Sequence, residues 1–414
     1  MSGAYGRPAE QVDQGLPRLV PFRGVRFAAD GHDLTALTFV PPPAWSTVDA
    51  GAQPAGGLLG LLAPAFGVED RSRESAAMLA RWDADGLLVR DDNPAMYVYR
   101  RRGGDSVLTG LVAGVSLQQT SLVPHEEVID AAVGRQHALA AATHAQLEPI
   151  VALVEEHGAA ESLRRAVRQA VGGPPDRQLS EHGVTHEIWS VAASATHREV
   201  ASGVGSAPLL VADGHHRLAA WSRLARRAVD PGGSPWAYAL TMLLDASQAA
   251  LSLGPVHRVV SDLQPVDLQD ALTLDRIGGA DEAKTFLQTR PQDGCVVFAG
   301  GAWFNARPRA GEYHGDVCAV PGCAVCWLHG SWLPAAGVTE ERISYVHSVE
   351  DAIARASSQR GTAFLLPPIG LEVVLDAARR GSPLPHKATS FGPKPRVGMI
   401  MRHWGGTTDD LTPD

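Results

Sequence analysis

Long hydrophobic runs are missing from this sequence of 414 residues. The longest apolar stretch near its start, "AGGLLGLLAPAFGV", is broken by Gly and Pro and is too short to span a bilayer. The opening "MSGAYGRPAEQVDQG" lacks the cationic start and apolar core of a secretory signal. A cytoplasmic protein with no membrane segment is therefore expected. An excess of positive charge is also missing. The formal net charge is -9, which argues against a general nucleic-acid or anionic-membrane surface, and no helix-turn-helix signal is present. No Gly-x-x-x-x-Gly-Lys loop occurs, so a P-loop nucleotide site is excluded as a motif. There is no repeat of solenoid period and no low-complexity domain.

Cysteine is scarce, and all four residues lie late in the chain: Cys295, Cys318, Cys323 and Cys326. "CAVPGCAVC" has the C-x4-C-x2-C spacing of plant-type iron–sulfur binding, and with His329 nearby it also admits a zinc site. The plainer reading is a variable loop of free thiols. A Cys323–Cys326 disulfide runs against a reducing cytoplasm.

What is present suits a soluble globular protein: 45% hydrophobic and 20% charged residues, enough to bury a core without disulfides. Residues 1–17 read as a polar tail. Residues 18–262 alternate strands and helices with some hairpins, which predicts an α/β or α+β domain on a mixed sheet. "PAMYVYRRRGGDSVLTGLVAGVSL" is the clearest hairpin. "PHEEVIDAAVGRQHALAAATHAQL" predicts a long helix after a Pro-His start. Residues 263–404 read as a further α+β part, and residues 405–414 as an acidic tail.

The richest stretch is "PLLVADGHHRLAAWSRLARR", Pro208 to Arg227. Leu209 to Ala212 form a continuous apolar run, as a doubly buried strand does. Leu218, Trp221, Leu224 and Ala225 then recur at helical spacing. Asp213 is a candidate N-cap, and Gly214 permits the turn and the close approach of a ligand. A helix N-terminus offers free amides and a positive dipole end, a ready anion site. Arg217 could clamp a phosphate or carboxylate, and His215 and His216 can donate, accept or shuttle protons. The bland alternative is a capped helix with surface histidines. Adjacent helical histidines point about 100° apart and converge poorly on one metal ion.

"ADGHHR" after an apolar strand resembles the signature of the domain-of-unknown-function family 1015. "PFRGVRF", "NPAMYVYR" with "TGLVAGVSL", "VPHEEV", "GPVHRVV", "AFLLPP" and "PLPHKATSFGPKPRVGMIM" resemble further elements of that family, in order, from about residue 18 to 402. The Gly-His-His-Arg turn in turn resembles the ParB/sulfiredoxin fold, some relatives of which are free-serine kinases. The resemblance implies a ParB/sulfiredoxin-like core. It also implies phosphoryl transfer from ATP or ADP with Mg²⁺ to a small hydroxy amino acid or hydroxy acid, most like L-serine. A homo-oligomer fits the same expectation.

On that reading the amides after Asp213, with Gly214 and His216, hold phosphates alongside Arg217. His215 bonds the transferred group or assists proton movement, and Lys387 and Thr389 complete the cofactor side, unless Lys387 is merely a solvated lysine after a loop proline. Glu126 holds Mg²⁺ or acts as base beside His125, or is merely a first-turn glutamate. His257 and Arg258 lie on a strand, where one points inward and the other outward; either one of them lines the pocket or both are structural. The sequence departs from its relatives early: "VPPPAWSTVD" stands where a Pro-Pro-Tyr-Asp-Val stretch is expected. The base is then open among Asp30, Asp33 and Asp49. Two other functions remain: a non-catalytic nucleotide-binding regulator, and a metal-binding protein through the cysteines.

Overall fold

The computed structural model describes residues 18–41, 57–66, 71–104, 106–118, 122–228, 234–249, 251–268, 272–289, 294–309 and 323–405. Asp49, Cys318, the expected tail 1–17 and residues 406–414 lie outside them.

The expected mixed α/β architecture is observed. A nine-stranded sheet is centred on Tyr238–Asp245, in which all eight residues are buried. That strand runs parallel to Ile150–Val154 and antiparallel to Ser106–Ser116. Beyond Ile150–Val154 lies Leu209–Asp213, antiparallel to it, and then Leu122–Pro124 at the edge. On the other side the predicted hairpin, Met96–Gly103 with Ser106–Ser116, leads to Val184–Val191 and Arg177–Glu181.

Both faces of this sheet are covered, so its central strands are continuously apolar rather than alternating. Leu243 packs with Leu163 and Val200, from the helices His157–Ala170 and Ser194–Val204. Its neighbours Met242 and Leu244 point the other way, as successive strand residues must, and join Val133, Leu218 and Trp221 from Asp130–Thr143 and His215–Arg227.

A second sheet is six-stranded and wholly antiparallel, in the order Leu272–Ile277, Ala302–Pro308, Cys295–Ala299, Thr362–Leu365, His257–Val260, Ile343–Val346. Helices Ala280–Gln288 and Val349–Ser358 cover one face. Val297 and Phe364 of the other face belong to the same buried cluster as Val151 and Leu218 of the first sheet. The chain passes from the first sheet to the second between Asp245 and His257, and near its end Arg402–His403 pairs with Ala145–Gln146 in a separate two-stranded sheet.

One expected helix starts late. It begins at Asp130, not after Pro124. The intervening backbone is committed elsewhere: Leu384 N–H donates to His125 O, and Glu127 N–H donates to Leu384 O, both at 2.8 Å. Those bonds hold residues 125–127 extended against the C-terminal segment. Glu126 is therefore not a first-turn helical residue. Among the described residues no helix is long and apolar enough to cross a membrane.

Candidate active site

The turn from Leu209–Asp213 into His215–Arg227 opens into a chamber of about 150 Å³. The strand carries an irregularity between Val211 and Asp213, where its register against Ile150–Val154 shifts. Such a bulge re-aims a side chain at a strand end. Gly214 follows with φ 100°, a left-handed conformation that costs an L side chain strain. A Cβ there would sit 2.9 Å from Arg217 Nη2 and 3.2 Å from the Ile150 Cα.

The helix N-cap is Gly214, not Asp213, and no side chain caps the first turn. The Asp213 carboxylate is engaged otherwise. It accepts from Arg217 Nη2 at 2.8 Å and from Lys394 Nζ. Burial alone would raise its pKa, but the charges of Lys394 and Arg217 outweigh burial and hold it well below the usual carboxylate range. With no cap, the amides of the first turn remain available to a ligand.

Arg217 is not a free clamp either. Its guanidinium pairs with Glu148 and Asp213 and donates to Pro149 O at 3.0 Å. Only about 8% of its surface is exposed. It braces the turn from within, although it contributes to the chamber wall.

The cation left over is Lys387. It lines the chamber, and among the described residues no carboxylate lies within 4 Å of its ammonium. Burial lowers its pKa. Its backbone has φ 56°, an unusual value for a residue with a Cβ. Arg258 holds that conformation in place, donating from Nη2 to Lys387 O at 2.8 Å and to His386 O at 3.2 Å. Arg258 is fully buried behind the wall, donates from Nε to His329 Nε2 at 2.9 Å, and has no carboxylate partner among the described residues. Desolvation lowers its pKa to about 10. His257, the other strand residue singled out from the sequence, accepts from Leu366 N at 3.1 Å and does not line the chamber.

Glu126 is the carboxylate without a cation. Oε1 lies 3.4 Å from His215 Nδ1, and Oε2 is buried without a partner. Burial raises its pKa to about 7, against the opposing charge of Lys387. The imidazoles around it stay neutral. Desolvation lowers the pKa of His215 strongly, that of His216 to about 3 and that of His125 to about 4. His215 Nε2 is buried without a partner. His216 Nε2 accepts from the Ile129 amide at 3.0 Å. His125 lies behind the chamber, its ring edge-on to His215 at 4.5 Å, and Thr389 reaches it from the chamber side.

The structure thus brings together Glu126, Asp213, Gly214, His215, His216, Arg217, Lys387 and Thr389 on one chamber. His125, His257 and Arg258 lie outside its lining. Sequence reading missed Glu148, Tyr345, His347 and Lys394. Lys394 stood in the quoted "FGPKPR", flanked by prolines, and that flanking was its only signal. Neither Asp30 nor Asp33 lines the chamber; Asp33 caps the short helix Leu34–Leu37. Among the described residues no group of three or more His, Cys, Asp or Glu side chains is placed to hold a metal, and Cys295 and Cys323 are buried free thiols.

The chain is similar to several solved structures. A free serine kinase in complex with AMP is 12% identical, with TM-score 0.40, covering 72% of this chain and 93% of that one. A mutant free serine kinase in complex with ADP is 12% identical, with TM-score 0.39, covering 72% and 94%. A conserved hypothetical protein from Pyrococcus furiosus is 12% identical, with TM-score 0.39, covering 72% and 96%. No curated protein matches the sequence. The family described as protein of unknown function (DUF1015) matches from residue 19 to residue 319, the span that includes the Asp213–Arg217 turn and the hairpin, and the chain belongs to that family.

Proposed function

We propose that the chamber is a phosphoryl-transfer site, and that the protein is a nucleotide-dependent phosphotransferase acting on a small hydroxy amino acid or hydroxy acid, most like a free L-serine kinase. One observation carries the reading. An uncapped helix N-terminus and a lysine with no ion pair among the described residues face the same chamber as a carboxyl group poised at about pH 7. Phosphoryl transfer needs anion positioning and charge neutralisation together with a base for the attacking hydroxyl, and little covalent chemistry from the protein.

The amides of His215, His216 and Arg217 hold the terminal phosphate oxygens, and the Lys387 ammonium offsets their charge. Glu126 takes the proton of the acceptor hydroxyl. A base is most effective with its pKa near the working pH. Arg217 acts through Asp213 and Glu148 by fixing the turn. Mg²⁺ commonly takes one or two protein carboxylates and completes its shell with phosphate oxygens and water. Asp213 and Glu148 are already neutralised by Arg217 and Lys394; with Glu126 acting as base, a nucleotide-borne Mg²⁺ would be held by phosphate oxygens and water and would offset phosphate charge.

Calorimetric titration of ATP, ADP and CTP with Mg²⁺, followed by a phosphate-transfer assay on a panel including L-serine, tests the reading. Binding with transfer supports it. Binding without transfer points to a non-catalytic nucleotide-binding protein. Absence of nucleotide binding overturns it.

A further inference from the structure

Thr389 meets the chamber at the end of a hydrogen-bond chain whose polarity is fixed at its far end. A carbonyl oxygen only accepts. His125 Nδ1 lies 2.6 Å from Val211 O, so Nδ1 carries the proton. His125 is fully buried and no carboxylate pairs with it among the described residues, so the ring is neutral and Nε2 is an acceptor. Thr389 Oγ1 lies 2.8 Å from that Nε2 and gives it its only proton. What the Thr389 hydroxyl then presents to the chamber is lone pairs alone, while the Thr389 backbone N–H is directed to the Glu126 carboxyl.

This polarity decides what Thr389 can bind. A phosphate oxygen without a proton is itself an acceptor, and two acceptors face to face repel. The group opposite Thr389 must be a donor. The second observation is Glu126 Oε2, buried, unpartnered and on the same chamber. Glu126 is joined to the Thr389 segment through the Leu384 bridge. In the ionised form that the role of base requires, that carboxylate is also acceptor-only. The chamber therefore has an acceptor-lined corner at Glu126 and Thr389, opposite in character to the donors at the helix N-terminus and Lys387.

We infer that Thr389 faces the phosphoryl acceptor, not the nucleotide, and is a specificity-determining residue for a hydrogen-bond donor group carried beside the reacting hydroxyl. The inference rests on the phosphoryl-transfer reading. Glu126 faces the reacting hydroxyl and Thr389 the second donor, which is either an ammonium or another hydroxyl. A hydroxy acid with no second donor leaves Thr389 unpaired.

The test compares the wild type, Thr389→Val and Thr389→Ser, each checked for native circular dichroism. Calorimetry would measure ATP with Mg²⁺ alone, then L-serine, D-glycerate and 3-hydroxypropionate in its presence. Thr389→Val is expected to leave ATP affinity within about twofold and to weaken a donor-bearing acceptor by roughly tenfold, the effect of one lost hydrogen bond. It leaves 3-hydroxypropionate unchanged, and Thr389→Ser restores the loss. A loss confined to L-serine identifies the donor as ammonium, and a loss with D-glycerate identifies it as hydroxyl. A tenfold loss of ATP affinity with unchanged preference among acceptors would place Thr389 on phosphate and overturn the inference while leaving the phosphotransferase reading intact. A wild type that binds no nucleotide removes both.

Discussion

Glu126→Gln tests the electrostatics of the chamber without requiring a known substrate. Burial shifts the carboxyl from an ordinary 4.5 to about 7 in the folded chain. Below pH 4.5 both folded and unfolded chains hold the proton, and the group has no effect on stability. Between pH 4.5 and 7 the unfolded chain releases it while the folded chain keeps it. Stability then falls with rising pH by about 1.4 kcal/mol per unit. The accumulated loss is about 3 kcal/mol at pH 7 and is constant above that. Glutamine does not titrate, so the variant avoids the decline. Urea denaturation of both proteins from pH 4 to 8.5 is the assay. The variant should gain on the wild type by about 3 kcal/mol across this window. The neutral buried histidines act in the opposite sense: their contribution is present above pH 6.5 and is lost as pH falls toward about 4 for His125 and about 3 for His216. They are common to both proteins and largely cancel in the difference. Parallel stability curves would mean that Glu126 is an ordinary ionised carboxylate, and it would then be too weak a base for the role assigned to it.

Three other substitutions separate bracing from binding. Arg217→Ala leaves Glu148 and Asp213 without their shared cation. It should cost roughly 3–5 kcal/mol in urea denaturation, and a loss below about 1 kcal/mol, the scale of an exposed pair, contradicts the network. Lys387→Ala breaks no ion pair, so stability should change by no more than about 1 kcal/mol while ATP affinity falls roughly tenfold by calorimetry; unchanged affinity removes Lys387 from the phosphate side. Gly214→Ala forces a Cβ into a left-handed residue and against Arg217, and should cost about 1–3 kcal/mol in thermal denaturation; an unchanged midpoint means the turn relaxes freely.

The fold was legible where burial controls the pattern. The run Leu209–Ala212 and the helical spacing of Leu218, Trp221 and Ala225 became the strand and helix they suggested, because both elements lie in one core. The late start of the helix at Asp130 was not legible. Nothing local to "PHEEVID" indicates that the Glu127 amide and His125 carbonyl are taken by Leu384, far along the chain. The site was legible at the same level. Its residue types were apparent, but their partners were not. Arg217 looked like an anion clamp because a helix N-terminus favours one. Its commitment to Glu148 depends on where a different strand places that carboxylate. Lys394 and Arg258 were similarly hidden, since a lysine between prolines and an arginine in a strand acquire meaning only from what they touch.

The family match ends at residue 319, yet Tyr345, His347, Lys387, Thr389 and Lys394 all line the chamber. The first sheet supplies the uncapped helix and Glu126, and the segment after the second sheet supplies the lysines. The left-handed Lys387 is held by Arg258, a buried cation on the second sheet with no carboxylate partner among the described residues. A buried cation without an ionic partner is costly, and here the hydrogen bonds to His329, His386 and Lys387 offset part of that cost. The second sheet therefore does more than buttress the first. It fixes the backbone that carries Lys387 on the wall of a chamber whose other two cations, Arg217 and Lys394, are already paired with carboxylates.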